Sequence, residues 1–271
     1  MTTISVVIPV LDDARLLERC LESLASQRRP ADEIIVVDNG CTDDSVSVAR
    51  RFGAQVVAES RPGITAASGL GFDTATGDII ARCDADSVLP PDWIERIERR
   101  LAAQPSAVAI TGPARFYDLP GMRQVAARVI YISGYFASMH VLLGHTVLFG
   151  SNCAVRAETW QALSASVPRD DRDLHDDMDL SYRLPASSTV IYDRDLVVEV
   201  SPRPFDSPSA LVRRLRRGAH TFREHWPAQL PARRWMVRAR SRIAAVRGGP
   251  PETIRAEVRS TSPGVEHSSL R

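Results

Sequence analysis

Asp84-Ala85-Asp86 sets two carboxylates one residue apart, directly after the run Asp78-Ile-Ile-Ala-Arg-Cys83. Short apolar runs bounded by turn signals read as buried strands. In an open α/β sheet, ligands bind beyond the carboxyl ends of the strands. Two carboxylates held together at such a place need a cation between them. A hard ion fits, because Mg²⁺ is typically held by one or two carboxylates plus substrate phosphates. Alone, such a pair is also a common solvated turn, so the surroundings decide.

A second acidic group stands in His175-Asp-Asp177-Met-Asp179-Leu-Ser-Tyr-Arg183. The spacing predicts a short helix over 174–184, with Asp176, Asp179 and Arg183 on one side and Asp177 pointing elsewhere. A positioned carboxylate can deprotonate a hydroxyl. The structural alternative is a helix cap at Asp176 or Asp177 and an ion pair between Asp179 and Arg183. That alternative is adopted for Asp179. A third candidate is the loop Asp38-Asn39-Gly40-Cys41-Thr42-Asp43. Asp38 could accept hydrogen bonds from a base or ribose there, or could close an ordinary Asx turn.

These residues need a frame. Ile4–Val10, Glu33–Val37, Gln55–Ala58 and Ala107–Thr111 read as further strands. Between them, Leu16, Leu17, Cys20, Leu21 and Leu24 recur at helical spacing after Asp12 or Asp13 as cap. Ile64–Thr76 reads as a helix stopped by Gly77. Pro91 suits the first position of a helix lined by Ile94, Ile97 and Leu101. Strands alternating with helices predict an α/β fold with a mostly parallel central sheet and helices on both faces.

In that frame the residues carry a resemblance. Val6-Val-Ile-Pro9-Val-Leu-Asp12-Asp13, Glu33-Ile-Ile-Val-Val-Asp38-Asn-Gly-Cys-Thr-Asp43 and Gly77-Asp-Ile-Ile-Ala-Arg-Cys-Asp84-Ala-Asp86-Ser resemble family 2 glycosyltransferases. So do Gly150-Ser-Asn152-Cys-Ala-Val-Arg156 and the His175–Leu184 segment. The likeness covers roughly residues 4–205, in the family's order. It implies a GT-A fold, a nucleotide-diphosphate sugar donor, Mg²⁺ or Mn²⁺, and inversion at the anomeric carbon. By the same resemblance, Asp86 would be the main metal ligand, with Asp84 near the metal or ribose. Asp177 would be the general base, and Asp38 would meet the base. Pro9, Asp12, Asn152, Asp176 and Arg203 would stand around the substrates.

Some positions depart from that pattern. Ser68 and Gly69 stand where the family usually carries Arg-Asn; Arg61 and Arg82 are the candidate substitutes. Leu196–Arg203 lacks the family's metal-binding His, for which His220 and His225 are candidates. Arg203 and Arg213 could reach the diphosphate.

All 34 basic residues are Arg, and the net charge is +1. From Arg203 to Arg247 twelve Arg face only Asp206 and Glu224. The helical pattern there predicts a basic segment over 206–247 following a glycosyltransferase domain over 1–205. A Pro-, Gly- and Ser-rich disordered tail is expected over 248–271. The basic segment could meet a membrane surface, while no nucleic-acid motif is present. Val129–Phe149 is almost uncharged. Its first reading is a buried helix or acceptor wall, and its second is interfacial membrane contact. The acceptor is therefore left open among saccharide, small-molecule and lipid-linked types. Four cysteines without paired spacing favour reduced thiols. Since a strand pattern begins at once, no signal peptide is expected. The expected location is cytoplasmic, with room for peripheral contact at the inner membrane face. Two rivals share parts of the pattern: a non-catalytic sugar-nucleotide-binding protein, and a sugar nucleotidyltransferase. The second would want a Gly-rich basic loop that Val6–Asp13 lacks.

Overall fold

The computed structural model describes residues 1–119, 121–205, 207–226 and 228–246. The expected tail at 248–271 lies outside the described residues. Strand β1 (Ile4–Val10) is buried along its whole length. Its side chains alternate between two cores, as a period of two requires. Val6 and Ile8 join Leu17, Leu21 and Trp93 on one face, and Val7 joins Ile35, Phe72 and Trp160 on the other. Helices α1 (Ala14–Ala25), α2 (Ser45–Arg51) and α3 (Ile64–Thr74) follow β1, β2 (Glu33–Asp38) and β3 (Gln55–Ala58). Helix α3 lies close on the sheet because Gly71 has no side chain; a Cβ there would overlap Val7 and Val37.

The central sheet also contains β4 (Ile79–Arg82), β5 (Ala107–Thr111), β7 (Cys153–Arg156) and β8 (Thr189–Tyr192). The strand order is β3-β2-β1-β4-β7-β5-β8, and only β7 runs antiparallel to its neighbours. Register fixes the functional edge. Val10 pairs with Asp38, and Val7 with Arg82, so the loops after β1, β2 and β4 emerge together. Because Arg82 pairs with Cys153 in the antiparallel ladder, the residues before β7 reach the same edge. Strands β6 (Ala114–Phe116) and β9 (Val198–Val200) form a small second sheet beside it.

Helix α4 (Trp93–Ala103) starts later than Pro91 suggests. Asp92 is its cap, and a turn closed by Trp93 N–H on Pro90 C=O holds both prolines outside the helix. The apolar 129–149 stretch is also not one buried helix. After α5 (Gly121–Ala126) it divides into a π-helical segment over Ala127–Ser133 and α6 (Gly134–Leu143), which ends on Gly144 at φ 78°. Ile132, Phe136, Met139 and Leu143 are buried, whereas Val129, Ile130 and Val141 are exposed. Helix α7 (Ala157–Leu163) precedes α8 (Asp176–Arg183), and α9 (Pro208–His225) and α10 (Pro231–Val246) end the described chain. Buried Arg234 of α10 donates to the carbonyls of Leu143, Tyr182 and Leu184. Among the described residues no helix is long and apolar enough to cross a membrane.

Asn152 joins the two sheets. Its Nδ2 donates to Pro113 and Leu196 carbonyls at 3.1 and 2.6 Å, and its Oδ1 accepts from Trp93 Nε1 at 2.8 Å. The side chain is fully buried and its amide is used up. The expected substrate contact therefore gives way to a structural one. Asn152→Ala should lower the unfolding free energy by roughly 2–4 kcal/mol, because it strands an indole N–H and two carbonyls. Urea denaturation measures this, and a loss below about 0.5 kcal/mol would mean the groups find other partners.

Candidate active site

The edge defined by β1, β4 and β7 opens into a cavity of about 1360 Å³. Pro9, Asp13, Asn39, Asp84, Asp86, Asp176, Asp177 and Arg203 all face it. Asp84 and Asp86 get there because they leave the C-terminal end of β4. Asp176 and Asp177 get there on the first turn of α8, where the helix dipole favours negative charge.

Helix α8 is fastened from behind. Asp179 is almost completely buried and accepts from Nε and Nη2 of Arg183, at 2.7 and 2.9 Å. His225 of α9 also bonds Asp179, at 2.8 Å, and stacks on Tyr182 at 4.5 Å. Thr221 accepts from the His175 N–H at 2.8 Å. His225 and His220 are thus engaged with Asp179 and Asp171 and line no part of the cavity. They do not replace the missing metal-binding His.

Arg82 ties the end of β4 to α8. Its guanidinium reaches Asp84 at 2.8 Å and Asp176 at 2.6 Å. Gly150 makes room for it, since a Cβ there would overlap the guanidinium. Ser151 donates to the other oxygen of Asp84 at 2.5 Å, and Ser68 donates to Asp176 at 2.7 Å. Of the two candidate substitutes for the family Arg, Arg82 faces the cavity. Arg61 is folded back on Glu59 through two bonds of 3.0 and 2.8 Å. Gly69 is covered by the Arg169 guanidinium, which lies 5.2 Å from the Trp160 ring centre and bonds Asp73 at 3.0 Å.

The two adjacent carboxylates of α8 are driven apart. Burial opposes ionisation of Asp177, but His175 at 3.4 Å, the Arg82 charge and the Gly150 N–H at 2.8 Å hold its pKa at about 2. Burial raises Asp176, and so does the Asp177 charge, against the pull of Arg82. Burial and the Asp84 charge push Asp86 up to about 7, although Arg203 opposes them. Arg203 sits 2.9 Å from Asp13 and 3.6 Å from Asp86. Groups pushed in opposite directions within one cleft are a mark of functional sites.

Asp12 and Asp38 stay outside the cavity lining. Asp12, at φ 50°, accepts from the Thr42 and Asp43 N–H groups. Asp38 closes an Asx turn on Gly40 and Cys41. Their bonds shape the loop from which Asn39 faces the cavity. His175, Ser151 and the Arg214–Arg217 face of α9 are site residues that sequence patterns left unassigned. Only His175 had a local signal, as the neighbour of two acids.

Removing the Arg82 charge leaves two buried-edge carboxylates uncompensated, so Arg82→Met should cost roughly 3–5 kcal/mol in urea denaturation. An unchanged midpoint would contradict this role. Asp179 carries a second prediction. Burial opposes its ionisation, yet the His225 and Arg183 bonds lower its pKa. That stabilisation is complete above the unfolded value near 4 and is lost as pH falls through the lowered folded value. The stability gap between wild type and Asp179→Asn should therefore narrow below about pH 4. A gap that stays constant on acidification would show that Asp179 is not ionised in the fold.

The model of the family described as glycosyl transferase family 2 matches residues 5–159. Glycosyltransferase AglE of Haloferax volcanii is 33% identical over 101 residues, covering 34% of this chain and 33% of its own length. An uncharacterized glycosyltransferase of Mycobacterium bovis is 36% identical over 112 residues, covering 41% of this chain and 49% of its own. The chain thus spans at most about half the length of these relatives. Mannosyltransferase PcManGT of Pyrobaculum calidifontis, solved with GDP-Man and Mn²⁺, superposes with a TM-score of 0.63 at 21% identity. That match covers 96% of this chain and 79% of the other. Glucosyl-3-phosphoglycerate synthase of Mycobacterium tuberculosis, solved with Mg²⁺ and UDP, gives 0.56 at 22% identity, covering 80% and 79%. The shared architecture is the GT-A fold. With more than half its length matched by the family model, the chain belongs to glycosyl transferase family 2.

Proposed function

We propose that the protein is an inverting glycosyltransferase that moves a sugar from a nucleotide-diphosphate donor to an acceptor hydroxyl. Asp177 is the general base, and Asp84 with Asp86 holds Mg²⁺ or Mn²⁺. The observation that carries this reading is the shared cavity. An ionised carboxylate, Asp177, faces the same space as a separate acidic pair at the end of β4.

The acidic pair fits a divalent ion. Carboxylate oxygens are the hard donors that Mg²⁺ and Mn²⁺ prefer. Burial, with the neighbouring Asp84 and Asp13 charges, disfavours the Asp86 carboxylate more than Arg203 favours it, a cost that a bound divalent ion would offset. When bound, the ion would stabilise the charge that develops on the leaving diphosphate. Arg203, beside Asp86, can add hydrogen bonds to phosphate oxygens. Pro9 and Asn39 border the nucleotide end of the cavity.

Asp177 is aimed by the Gly150 N–H and kept ionised by His175. Its low proton affinity suits a late transfer, once bonding to carbon has made the attacking hydroxyl acidic. A hydroxyl activated opposite the leaving diphosphate enters from the far face of the sugar, which inverts the anomeric centre. Arg82 and Ser68 hold Asp176 and thereby the first turn of α8.

Asp177→Asn should retain the thermal shift given by UDP or GDP with Mn²⁺ while nucleotide release from the donor falls about 10²–10⁴-fold. Undiminished release would place the base elsewhere. Asp86→Asn should abolish the metal-dependent part of the nucleotide shift; a shift that persists unchanged would remove the metal from this pair.

A further inference from the structure

The cavity has two unlike halves. The half beside β4 is acidic and basic, as described. The other half is apolar: Tyr135, Met139 and Phe149 form one wall, and Leu211 and Leu215 of α9 form the other. At about 1360 Å³ the whole exceeds the roughly 300–1,000 Å³ of an ordinary small-molecule site. The outer rim of the apolar half is uncovered, with Ile130 at 75% and Leu215 at 65% exposure. Large exposed apolar patches mark binding surfaces. The same half also holds cationic charge. Arg214 reaches across to the Tyr131 hydroxyl at 3.2 Å, and Arg217 lines the cavity beside it. Among the described residues neither Arg forms an ion pair, while Arg82 and Arg203 are committed to carboxylates.

We propose that this trough is the acceptor site, and that the acceptor is an amphiphile. An isoprenoid or acyl chain would lie along Ile130, Met139 and Leu215. A phosphate joining that chain to a hydroxyl-bearing head would meet Arg214 and Arg217, and the head would reach Asp177. The proposal rests on the glycosyl-transfer reading. It adds no step to it: the acceptor oxygen bonds the anomeric carbon, the bond to the diphosphate breaks, and the proton passes to Asp177. A fully water-soluble, uncharged acceptor would leave the apolar rim wet and the two cations without an anion. A chain joined to an anion satisfies both, since burying methylenes on an apolar rim is favourable and charge-assisted bonds to phosphate are strong.

The test is calorimetric titration of the full chain with farnesyl phosphate, without any nucleotide. Inorganic phosphate, farnesol and vesicles of phosphatidylcholine with phosphatidylglycerol are titrated in parallel. Farnesyl phosphate should bind at least about tenfold tighter than inorganic phosphate or farnesol. Leu215→Glu should weaken it about tenfold or more, and Arg217→Ala several-fold, with the UDP or GDP thermal shift intact in both. Both side chains are exposed, so the variants keep the core. Equal binding of farnesyl phosphate by wild type and Leu215→Glu would overturn the proposal. So would binding to anionic vesicles alone, which would make the surface a membrane contact, or no preference over inorganic phosphate. Loss of nucleotide binding in wild type with farnesyl phosphate binding retained would instead strike the glycosyl-transfer reading and leave the trough standing.

Discussion

The site depends on one guanidinium. Arg82 leaves the last residue of a central strand and bridges Asp84 to Asp176, joining the edge that would hold the donor to the helix that carries Asp177. A buried cation between two carboxylates is costly to assemble and more costly to break. It therefore acts less as a source of stability than as a constraint on relative position. Glycine at 150 is part of the same constraint, because any side chain there would displace the guanidinium. The split between Asp176 and Asp177 follows from it. One carboxylate shares the Arg82 pairing with Ser68, and the other is stabilised by His175 and a backbone N–H. Neighbours in sequence thus end in different protonation environments.

What lies behind α8 makes that constraint useful. Asp179, Arg183 and His225 lock the helix to α9, and Arg234 locks α10 to the turn after α8. The Arg-rich C-terminal segment is therefore not only a charged appendage. It clamps α8 from one side and supplies the second wall of the apolar trough on the other. In the proposed reaction the two halves of the cavity would serve the two needs of group transfer: charge control where a diphosphate leaves, and a shaped, drier surface where an acceptor approaches.

Much of this was legible in the chain. The parallel strands β1 to β5 announced themselves through short β-branched runs, and the acidic pair through its place after one of them. The Asp179–Arg183 pair followed from helical spacing alone. Other features were hidden for definite reasons. Strand β7 is antiparallel, and nothing in Cys153–Arg156 encodes direction; its register comes from pairing with β4. Asn152 looks the same in sequence whether it meets a substrate or Trp93, and only burial decides. Arg61 and Arg82 are equivalent candidates in sequence, and only the fold shows that Glu59 holds the first. The apolar 129–149 stretch could not reveal its split, because its hydrophobicity has no clear period and its exposed face depends on what α9 covers. The 38–43 loop was legible as a turn, yet which of its residues faces the cavity depended on the Asp12 and Asp38 bonds.

The proposed reaction is a single displacement at the anomeric carbon, with Asp177 activating the nucleophile. The most direct measurement is proton NMR of the sugar first released when the protein, supplied with Mn²⁺, slowly hydrolyses an α-linked nucleotide sugar with water as acceptor. It needs no knowledge of the natural acceptor. The β-anomer should appear first and mutarotate afterwards, and Asp177→Asn should suppress its appearance. Initial release of the α-anomer would contradict the proposed single displacement, because attack from the face opposite the leaving group cannot retain configuration.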